Sequence, residues 1–409
     1  MVDYKKLACV IGDSSVANNI NKYVKNLGSD VEVLSFSSFE RLQKSVNFEI
    51  IDYLIYEIEQ MEADYEIVMK IMKTKFPHII RIIISDKMSE NLLISTHELV
   101  HMIFEKKNIN MCLKDMFARA NKLRVFLQNK DLIKIVNSYD TKSYLKSSDV
   151  AILQQIQRPD VSLKLISDLI ENDLFLSTKV LQMANMAIFG NIKRVNNIQT
   201  AVISLGLNII RALILNIRLF GEESSRNHLL KYFKELETHS NQVANDVVHV
   251  IEALGLDSSL QKDAFTAGFI HDIGRMIIIE KIKDWEKIAH QSKIEKASKC
   301  DAEKKLIGTT HAEIGAFFLC VWGFPMEIVE AVAYHHKPSD YNGTGNLVLM
   351  ITHITEALNQ KHSSEGIEFF LDSLDPEYLD RLGYLEQVKT CYYEYFGIEL
   401  DEEQNNEDE

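Results

Sequence analysis

Six histidine and aspartate residues stand in or beside apolar segments in the second half of the chain. The set comprises His239, His271, Asp272, His311, His335 and His336. Burying an imidazole or a carboxylate among apolar residues costs several kcal/mol unless the group is paired or binds a metal ion. Nitrogen and oxygen ligands of this kind suit divalent ions such as Fe or Mn. The pattern therefore predicts either a metal centre or a hydrogen-bonded polar network in the core.

Three apolar segments carry most of these residues, and each has helical periodicity. They read FTAGFIHDIGRMIII, THAEIGAFFLCVW and IVEAVAY, the last followed directly by the two adjacent histidines. Consecutive helices of a bundle bring such side chains together in the core, where metal sites are commonly built. Within one helix, His271 and Asp272 would point about 100° apart, so that one could ligate a metal while the other supports it. We expect the six side chains to converge, with His271 and Asp272 at the centre.

The elements that must position these residues change in type near residue 125. Before it, short apolar segments alternate with helical ones, and we expect strands at residues 7–11, 31–34, 50–58, 79–85 and 101–105. Short apolar strands separated by helices favour a parallel sheet covered on both faces. After about residue 130, helical periodicity continues nearly unbroken to residue 400. The predicted fold class is an α/β domain followed by an all-α domain.

The composition limits the partners that the protein can bind. The 409 residues include 45 Lys and Arg against 59 Asp and Glu, which gives a net charge of −14. This charge disfavours nucleic-acid binding, which depends on cationic side chains neutralising phosphates. No apolar run approaches the length of about 18 residues that crosses a membrane. Because the five cysteines are scattered and never in CxxC spacing, we expect reduced thiols and a cytoplasmic protein.

The histidine segments resemble a known family in their order and spacing. They are similar to the HD phosphohydrolase superfamily, and their surrounding sequences resemble the HDOD domain, the HD-related output domain of bacterial signalling proteins. Upstream, SLKLISDLIENDLFLSTKVLQMANMAIFG and IQTAVISLGLNIIRALIL resemble the entry segments of that domain. The resemblance covers about residues 145–360 and implies an all-helical HD-type domain.

This resemblance implies roles for individual residues. The six residues would be metal ligands, Asp272 would also be catalytic, and Glu356 in THITEAL would replace the last aspartate ligand. Most HDOD domains have lost these ligands and act as non-catalytic regulatory outputs, whereas this sequence keeps them. The GYP signature of the HD-GYP cyclic-di-GMP phosphodiesterases is absent from HHKPSDYNGTG, which argues against that substrate. For His228, His249 and His353 we expect hydrogen-bonded positions in the core.

The first domain resembles a response-regulator receiver, a flavodoxin-like fold. Matching the strand ends places Asp13, Glu57, Ser85 and Lys106 near the receiver's acidic, phospho-accepting, hydroxyl and lysine positions. The acidic pair that holds Mg²⁺ is missing, and hard cations need several oxygen ligands. We therefore predict a pseudo-receiver that is not phosphorylated. Glu57 either mimics the phosphorylated state or forms a structural salt bridge with Lys106, and the domain serves docking or dimerisation.

The expected domain organisation has five parts. They are a receiver-like domain (1–125), a helical linker (126–144), an HDOD domain (145–360), a C-terminal helical extension (361–400) and an acidic disordered tail (401–409). One functional hypothesis is a regulatory output protein that binds signalling proteins, a small ligand or a second copy of the chain. The alternative is a metal-dependent phosphohydrolase or cyclic-nucleotide phosphodiesterase with a divalent metal, Fe or Mn, in the HD pocket. Metal analysis of untagged protein distinguishes the two.

Overall fold

A computed structural model describes most of the chain, namely residues 6–26, 31–58, 64–86, 92, 96, 99–138, 147–186, 189, 195–220, 229–283, 285–288, 291, 298–360 and 366–398. The predicted acidic tail lies outside the described residues. The chain divides into two compact units. The first comprises Met1–Asn172, Lys304–Thr309 and Phe317–Met326, and the second comprises Asp173–Glu303, Thr310–Ala316 and Glu327–Glu409.

Five strands form the parallel sheet of the first unit. They are β1 (Lys6–Ile11), β2 (Val31–Phe36), β3 (Tyr53–Ile58), β4 (Ile80–Ser85) and β5 (Met102–Glu105). Their order is β2-β1-β3-β4-β5, and every neighbouring pair is parallel. All residues of β3 and β4 are buried, as expected when both faces of a sheet are covered. The α/β prediction is confirmed, with the strand order of flavodoxin-like folds.

The third strand begins later than the sequence predicted. Residues 50–58 were expected to be extended, but Phe48–Ile50 forms a 3₁₀ turn and β3 begins at Tyr53. The Asn47 side chain accepts a hydrogen bond from the backbone N–H of Glu49 and caps this turn. The apolar run therefore divides into a capped turn and a shorter buried strand.

Helices account for the rest of the first unit up to Asn172. They are α1 (Ser14–Asn26), α2 (Phe39–Ser45), α3 (Asp64–Lys75), α4 (Ile109–Phe126), α5 (Lys130–Ser138), α6 (Ser147–Gln157) and α7 (Leu163–Glu171). In α1 the buried residues Val16, Ile20 and Val24 share one face, which is the amphipathic pattern expected of a helix on a sheet. Helix α5 occupies much of the predicted linker, whose residues 139–144 lie outside the described part of the chain.

The helical part of the chain continues through thirteen further described helices. They are α8 (Leu174–Ala184), α9 (Ile198–Leu205), α10 (Leu207–Phe220), α11 (Leu230–Ala253), α12 (Gln261–Ile270), α13 (Ile273–Lys281), α14 (Lys299–Ile307), α15 (His311–Val321), α16 (Met326–Tyr334), α17 (Leu347–Leu358), α18 (Ile367–Asp372), α19 (Pro376–Leu382) and α20 (Gln387–Phe396). Helix α11 packs on α12, α17 and α20, and α12 also contacts α10 and α17. Helix α17 is buried from Val348 to Leu358 and lies at the centre of this bundle. The all-α prediction for this part is confirmed.

The chain breaks its helix at the His271-Asp272 pair, where the sequence suggested one continuous helix. Helix α12 ends at Ile270 and α13 begins at Ile273, with His271 and Asp272 between them. Gly274 lets α13 approach the start of α15, because a Cβ atom there would collide with the backbone carbonyl of His311. The break and the close approach together direct the pair into the bundle core.

No single helix among the described residues is long and apolar enough to cross a membrane. The pair formed by Ile198–Leu205 and Leu207–Arg218 passes that test by length and composition only, and it bends by 106° at its break.

Candidate metal centre

Seven side chains from five parts of the second unit converge on one place in the bundle core. His239 lies on α11, His271 and Asp272 lie between α12 and α13, His311 begins α15, His335 and His336 follow α16, and Glu356 lies on α17. Two groups of potential ligand atoms come from these residues alone, the first from Asp272, His311, His335 and His336 and the second from His239, His271 and Glu356; a further group combines His311 with Cys300 and Glu303. Within each group the atoms lie within 4.8 Å of one another. These are the seven residues singled out as potential ligands in the sequence.

Asp272 lies between the two groups and is fully buried. Its Oδ1 is 3.3 Å from His311 Nε2, and its Oδ2 is 3.5 Å from His271 Nε2 and 3.9 Å from His239 Nε2. Each carboxylate oxygen therefore faces a different histidine group. Asp272 is the residue best placed to serve both.

Glu356 contacts the second group from α17. Its Oε2 lies 2.8 Å from His239 Nε2 and 3.3 Å from His271 Nε2. The first group has a corresponding close contact, because the Nε2 atoms of His311 and His336 are 3.0 Å apart. Helix α17 thus brings its carboxylate to His239 on α11 and to His271, which follows α12.

Three of the imidazole rings are oriented by hydrogen bonds at their Nδ1 atoms. His271 Nδ1 lies 2.7 Å from the backbone carbonyl oxygen of Gly268, and His335 Nδ1 lies 2.8 Å from that of Val332. His311 Nδ1 lies 2.7 Å from Oε2 of Glu303. Acceptors of this kind fix the tautomer and leave the Nε2 lone pair free, as in metal-ligating histidines. All three rings present Nε2 to the pocket.

Several buried polar atoms of the pocket have no hydrogen-bond partner of suitable geometry. They are Nε2 of His239, His271 and His335, Oδ1 of Asp272 and Oε2 of Glu356. Buried polar atoms are normally satisfied, and such exceptions need an explanation such as a bound ion. Imidazole nitrogens and carboxylate oxygens are also the ligands that a divalent transition metal takes. The residues present therefore fit a divalent metal ion.

The electrostatics of the pocket favour a cation. Burial raises the pKa of Asp272 and of Glu356, but Arg275 and His271 beside Asp272, and close contacts of His239 and His271 with Glu356, outweigh burial and hold both pKa values well below the usual range. Burial lowers the pKa of His271, but the Asp272 and Glu356 carboxylates outweigh it and raise that pKa to about 10. Without a metal, ionised carboxylates thus draw a proton onto a buried imidazole. A divalent ion would supply the same positive charge.

His335 and His336 respond differently from His271. Burial, together with the neighbouring His271, holds the pKa of His335 well below its ordinary value. Burial and the adjacent His335 do the same to the pKa of His336. Both rings are therefore neutral at physiological pH, which is the form of histidine that ligates metals.

Sequence reasoning missed two charged residues that contact the cluster. Glu303 on α14 accepts hydrogen bonds from Nδ1 and from the backbone N–H of His311. Arg275 on α13 places Nη1 2.5 Å from Oδ2 of Asp272. The i,i+3 spacing of Asp272 and Arg275 could have indicated their contact. Glu303 had no comparable signal, because eight residues and a helix boundary separate it from His311.

Of the other histidines, His353 is buried and hydrogen-bonded as expected, whereas His249 is hydrogen-bonded but only half-buried. His353 Nδ1 lies 2.6 Å from the backbone carbonyl oxygen of His335, and its Nε2 accepts from the backbone N–H of Asp375. His249 Nε2 lies 3.1 Å from the backbone carbonyl oxygen of Cys391. His228 lies outside the described residues.

The structure brings part of the predicted receiver-like pocket together in the first unit. Lys106 Nζ is 2.5 Å from Oε1 of buried Glu57, whose Oε2 accepts from the backbone N–H of Asp13 at 2.7 Å. The Asp13 carboxylate instead accepts from the backbone N–H and hydroxyl of Ser15. Ser85 ends β4 and pairs in register with Glu105 of β5. Glu57 and Lys106 thus meet directly, whereas the Asp13 side chain caps α1.

The chain is similar to known proteins in part of its length. Residues 145–338 match the HDOD domain family. An uncharacterized protein of Treponema pallidum (strain Nichols) is 25% identical over 223 residues, which are 51% of this chain and 40% of that protein. A ribonuclease Y of Thermus thermophilus is 27% identical over 176 residues, which are 43% of this chain and 24% of that enzyme. The chain therefore spans less than half the length of these relatives.

A solved structure shares the same domain name. It is an HDOD domain protein of unknown function from Geobacter sulfurreducens, 21% identical in sequence. The superposition has a TM-score of 0.42 and covers 68% of this chain and 98% of that one.

Proposed function

This chain contains an HDOD domain, and we propose that this domain binds a divalent metal ion and hydrolyses phosphoester bonds. The observation that supports the proposal is the convergence of five imidazoles and two carboxylates in one buried pocket. These ligands come from five separate parts of the chain, so their meeting is a property of the fold and not of one local motif. Three of the rings are also oriented by hydrogen bonds at Nδ1, which is the arrangement found in metal-ligating histidines.

Each residue of the proposed metal site would have a separate role. Asp272 faces both ligand groups and is the carboxylate shared between them. Glu356 completes the group of His239 and His271, in the place where HD enzymes have an aspartate. A divalent metal, when bound, polarises a phosphoryl group and lowers the pKa of bound water. His239 has 23% of its side chain accessible, so substrate would enter beside α11.

Metal content and hydrolysis together test this proposal. Untagged protein is analysed for bound metal, loaded with Mn²⁺ or Fe²⁺, and assayed on a phosphomonoester, a phosphodiester, cyclic mononucleotides and a short oligoribonucleotide. The oligoribonucleotide is included because one relative is named a ribonuclease, although the charge of −14 disfavours that substrate. We expect about one or two metal ions per chain and metal-dependent release of product.

A matched pair of variants separates the site from general effects on folding. Asp272→Asn removes the shared carboxylate charge and should abolish both metal retention and hydrolysis. His249→Asn changes a histidine of α11 whose Nε2 contacts the carbonyl of Cys391, outside the cluster, and should leave both unchanged. Protein that holds no metal under any of these conditions would refute the proposal.

We propose, as a second candidate, a regulatory output protein that acts by binding signalling proteins or a second copy of itself. The Glu57–Lys106 ion pair favours it, because a permanent carboxylate occupies the position where a receiver would accept a phosphoryl group. The first unit would then stay in one signalling state, because it could not be switched by phosphorylation. Metal-free protein that lacks hydrolytic activity but elutes as a dimer at micromolar concentration would favour this function over hydrolysis.

A further inference from the structure

We infer that Arg275 competes with the metal ion for Asp272 and thereby weakens the metal affinity of the site. This inference rests on the proposed metal binding and concerns its regulation. The Nη1 atom of Arg275 lies 2.5 Å from Oδ2 of Asp272, and its Nη2 atom lies 3.5 Å from Nε2 of His336. One guanidinium therefore approaches potential ligand atoms of both Asp272 and His336.

A cation bound to Oδ2 of Asp272 cannot avoid this guanidinium. Metal–carboxylate bonds are about 2.0–2.2 Å long. A metal bound to Oδ2 would therefore lie within about 4.7 Å of Arg275 Nη1 if the arginine stayed in place. Two positive charges at that distance repel strongly inside a protein, where screening is weak. Only 13% of the Arg275 side chain is exposed, so water relieves little of this repulsion.

The charges around the pocket support the same conclusion. Asp272, Glu356 and Glu303 contribute three negative charges, and Arg275 contributes one positive charge. The side chain of Lys299 interacts electrostatically with the same four groups and adds a further positive charge. Without Arg275 the net charge around the pocket becomes more negative by one, and Asp272 would be left buried without its partner. An unpaired buried carboxylate is costly, so its attraction for a metal ion increases.

Besides its contact with Asp272, the Arg275 guanidinium has only a long contact of 3.5 Å with His336 Nε2. Its Nε atom is buried and has no hydrogen-bond partner. A guanidinium with an unsatisfied N–H donor is bound less strongly than one that forms two parallel hydrogen bonds to a carboxylate. The contact therefore resembles a replaceable counter-ion more than a structural ion pair.

Mn²⁺ titration of the full chain tests this inference. Natural protein, stripped with chelator, is compared with Arg275→Gln, with Arg275→Lys, and with Arg218→Gln as a control. Arg218 pairs with Asp173 at 2.7 Å in the same unit but outside the cluster, and both side chains are about one-tenth exposed. We expect Arg275→Gln to lower the Kd for Mn²⁺ at least tenfold, while Arg275→Lys, which keeps the charge, and Arg218→Gln stay within about threefold of the natural protein.

Thermal unfolding gives a second readout that does not depend on catalysis. A tenfold tighter Kd adds about 1.4 kcal/mol of stabilisation at saturating metal. The increase in Tm on adding Mn²⁺ should therefore be larger for Arg275→Gln than for the natural chain, although its metal-free Tm is lower. Arg275→Met, which keeps the aliphatic stem, replaces the glutamine variant if that one does not fold.

The possible outcomes separate this inference from the proposed function. If Arg275→Gln binds Mn²⁺ as well as or more weakly than natural protein, Arg275 is not a competitor and the inference is wrong, while the proposed metal site stands. If only Arg275→Gln binds Mn²⁺, the inference holds and the proposed activity of the natural chain fails. If neither binds, both are refuted.

Discussion

Replacing Glu303 by glutamine is the most informative test of how the cluster is built. Glu303 lies on α14 and accepts two hydrogen bonds from His311, one from Nδ1 at 2.7 Å and one from the backbone N–H at 2.8 Å. Burial raises the pKa of Glu303, but the contacts with His311 outweigh it, so the pKa is lowered and the group is ionised. Glutamine keeps the shape and one acceptor oxygen but removes the charge.

The expected size of the effect follows from these contacts. Loss of an outer partner of a metal ligand typically costs 10- to 100-fold in metal affinity, which equals about 1.4–2.7 kcal/mol. The metal-free protein should lose about 1.5–3 kcal/mol of stability, because a hydrogen bond to a charged acceptor is lost. The Nε2 atom of His311 would also no longer be held 3.3 Å from Oδ1 of Asp272.

Two assays measure these quantities on the same protein samples. Titration with Mn²⁺ gives the Kd, and urea unfolding in chelator gives the metal-free stability. Glu313→Gln, a change on the first turn of α15, is the matched control and should alter the Kd by less than threefold. If Glu303→Gln bound Mn²⁺ with unchanged affinity, our reasoning that the His311 ring is positioned by this carboxylate would be wrong.

Three further predictions concern single residues, and one concerns phosphorylation. Asp272→Ala should abolish metal retention, measured by elemental analysis after desalting, because both ligand groups lose their shared carboxylate; full retention would contradict this. Glu57→Ala should lower the stability of the first unit by about 2 kcal/mol in urea unfolding, because the Lys106 ion pair and a backbone hydrogen bond are lost. Natural protein should take no phosphoryl group from acetyl phosphate, and an acid-labile label on residues 1–125 would refute this. Burial of His101, and secondly the charge of Arg81, hold the pKa of His101 well below its usual value. The folded protein therefore keeps this imidazole neutral, so its contribution to stability is fully present above pH 6.5 and is lost as the pH falls below 6.5. Natural protein should therefore lose about 1.4 kcal/mol more than His101→Gln between pH 7.5 and pH 5.5, and equal losses would count against this explanation.

Much of the fold could be predicted from the sequence. Five short apolar segments gave the five strands of the parallel sheet, and helical periodicity gave the helical part, because hydrophobic spacing is written directly in the chain. The boundaries were less accurate. The third strand lost its first three predicted residues because Asn47 caps a turn there, and local capping competes with apolar periodicity over such short distances.

The histidine and carboxylate set was also visible in the sequence, but its geometry was not. Residues 239 and 356 are far apart in the chain, yet His239 Nε2 and Glu356 Oε2 lie 2.8 Å apart. The break between α12 and α13 was missed because an apolar stretch has the same composition whether its helix is continuous or interrupted. The close approach at Gly274 depends on α15, which begins almost forty residues later.

The sequence by itself determined which residues could do chemistry and which elements carry them. Tertiary structure alone decided how those residues are oriented and balanced. The carbonyl of Gly268 and the carboxylate of Glu303 turn two imidazole rings so that their Nε2 atoms face the pocket. Arg275 places a positive charge beside the central carboxylate of Asp272. The physical reason is that the direction of a lone pair and the sum of buried charges depend on distances between helices, which residue types and spacing along one chain do not specify.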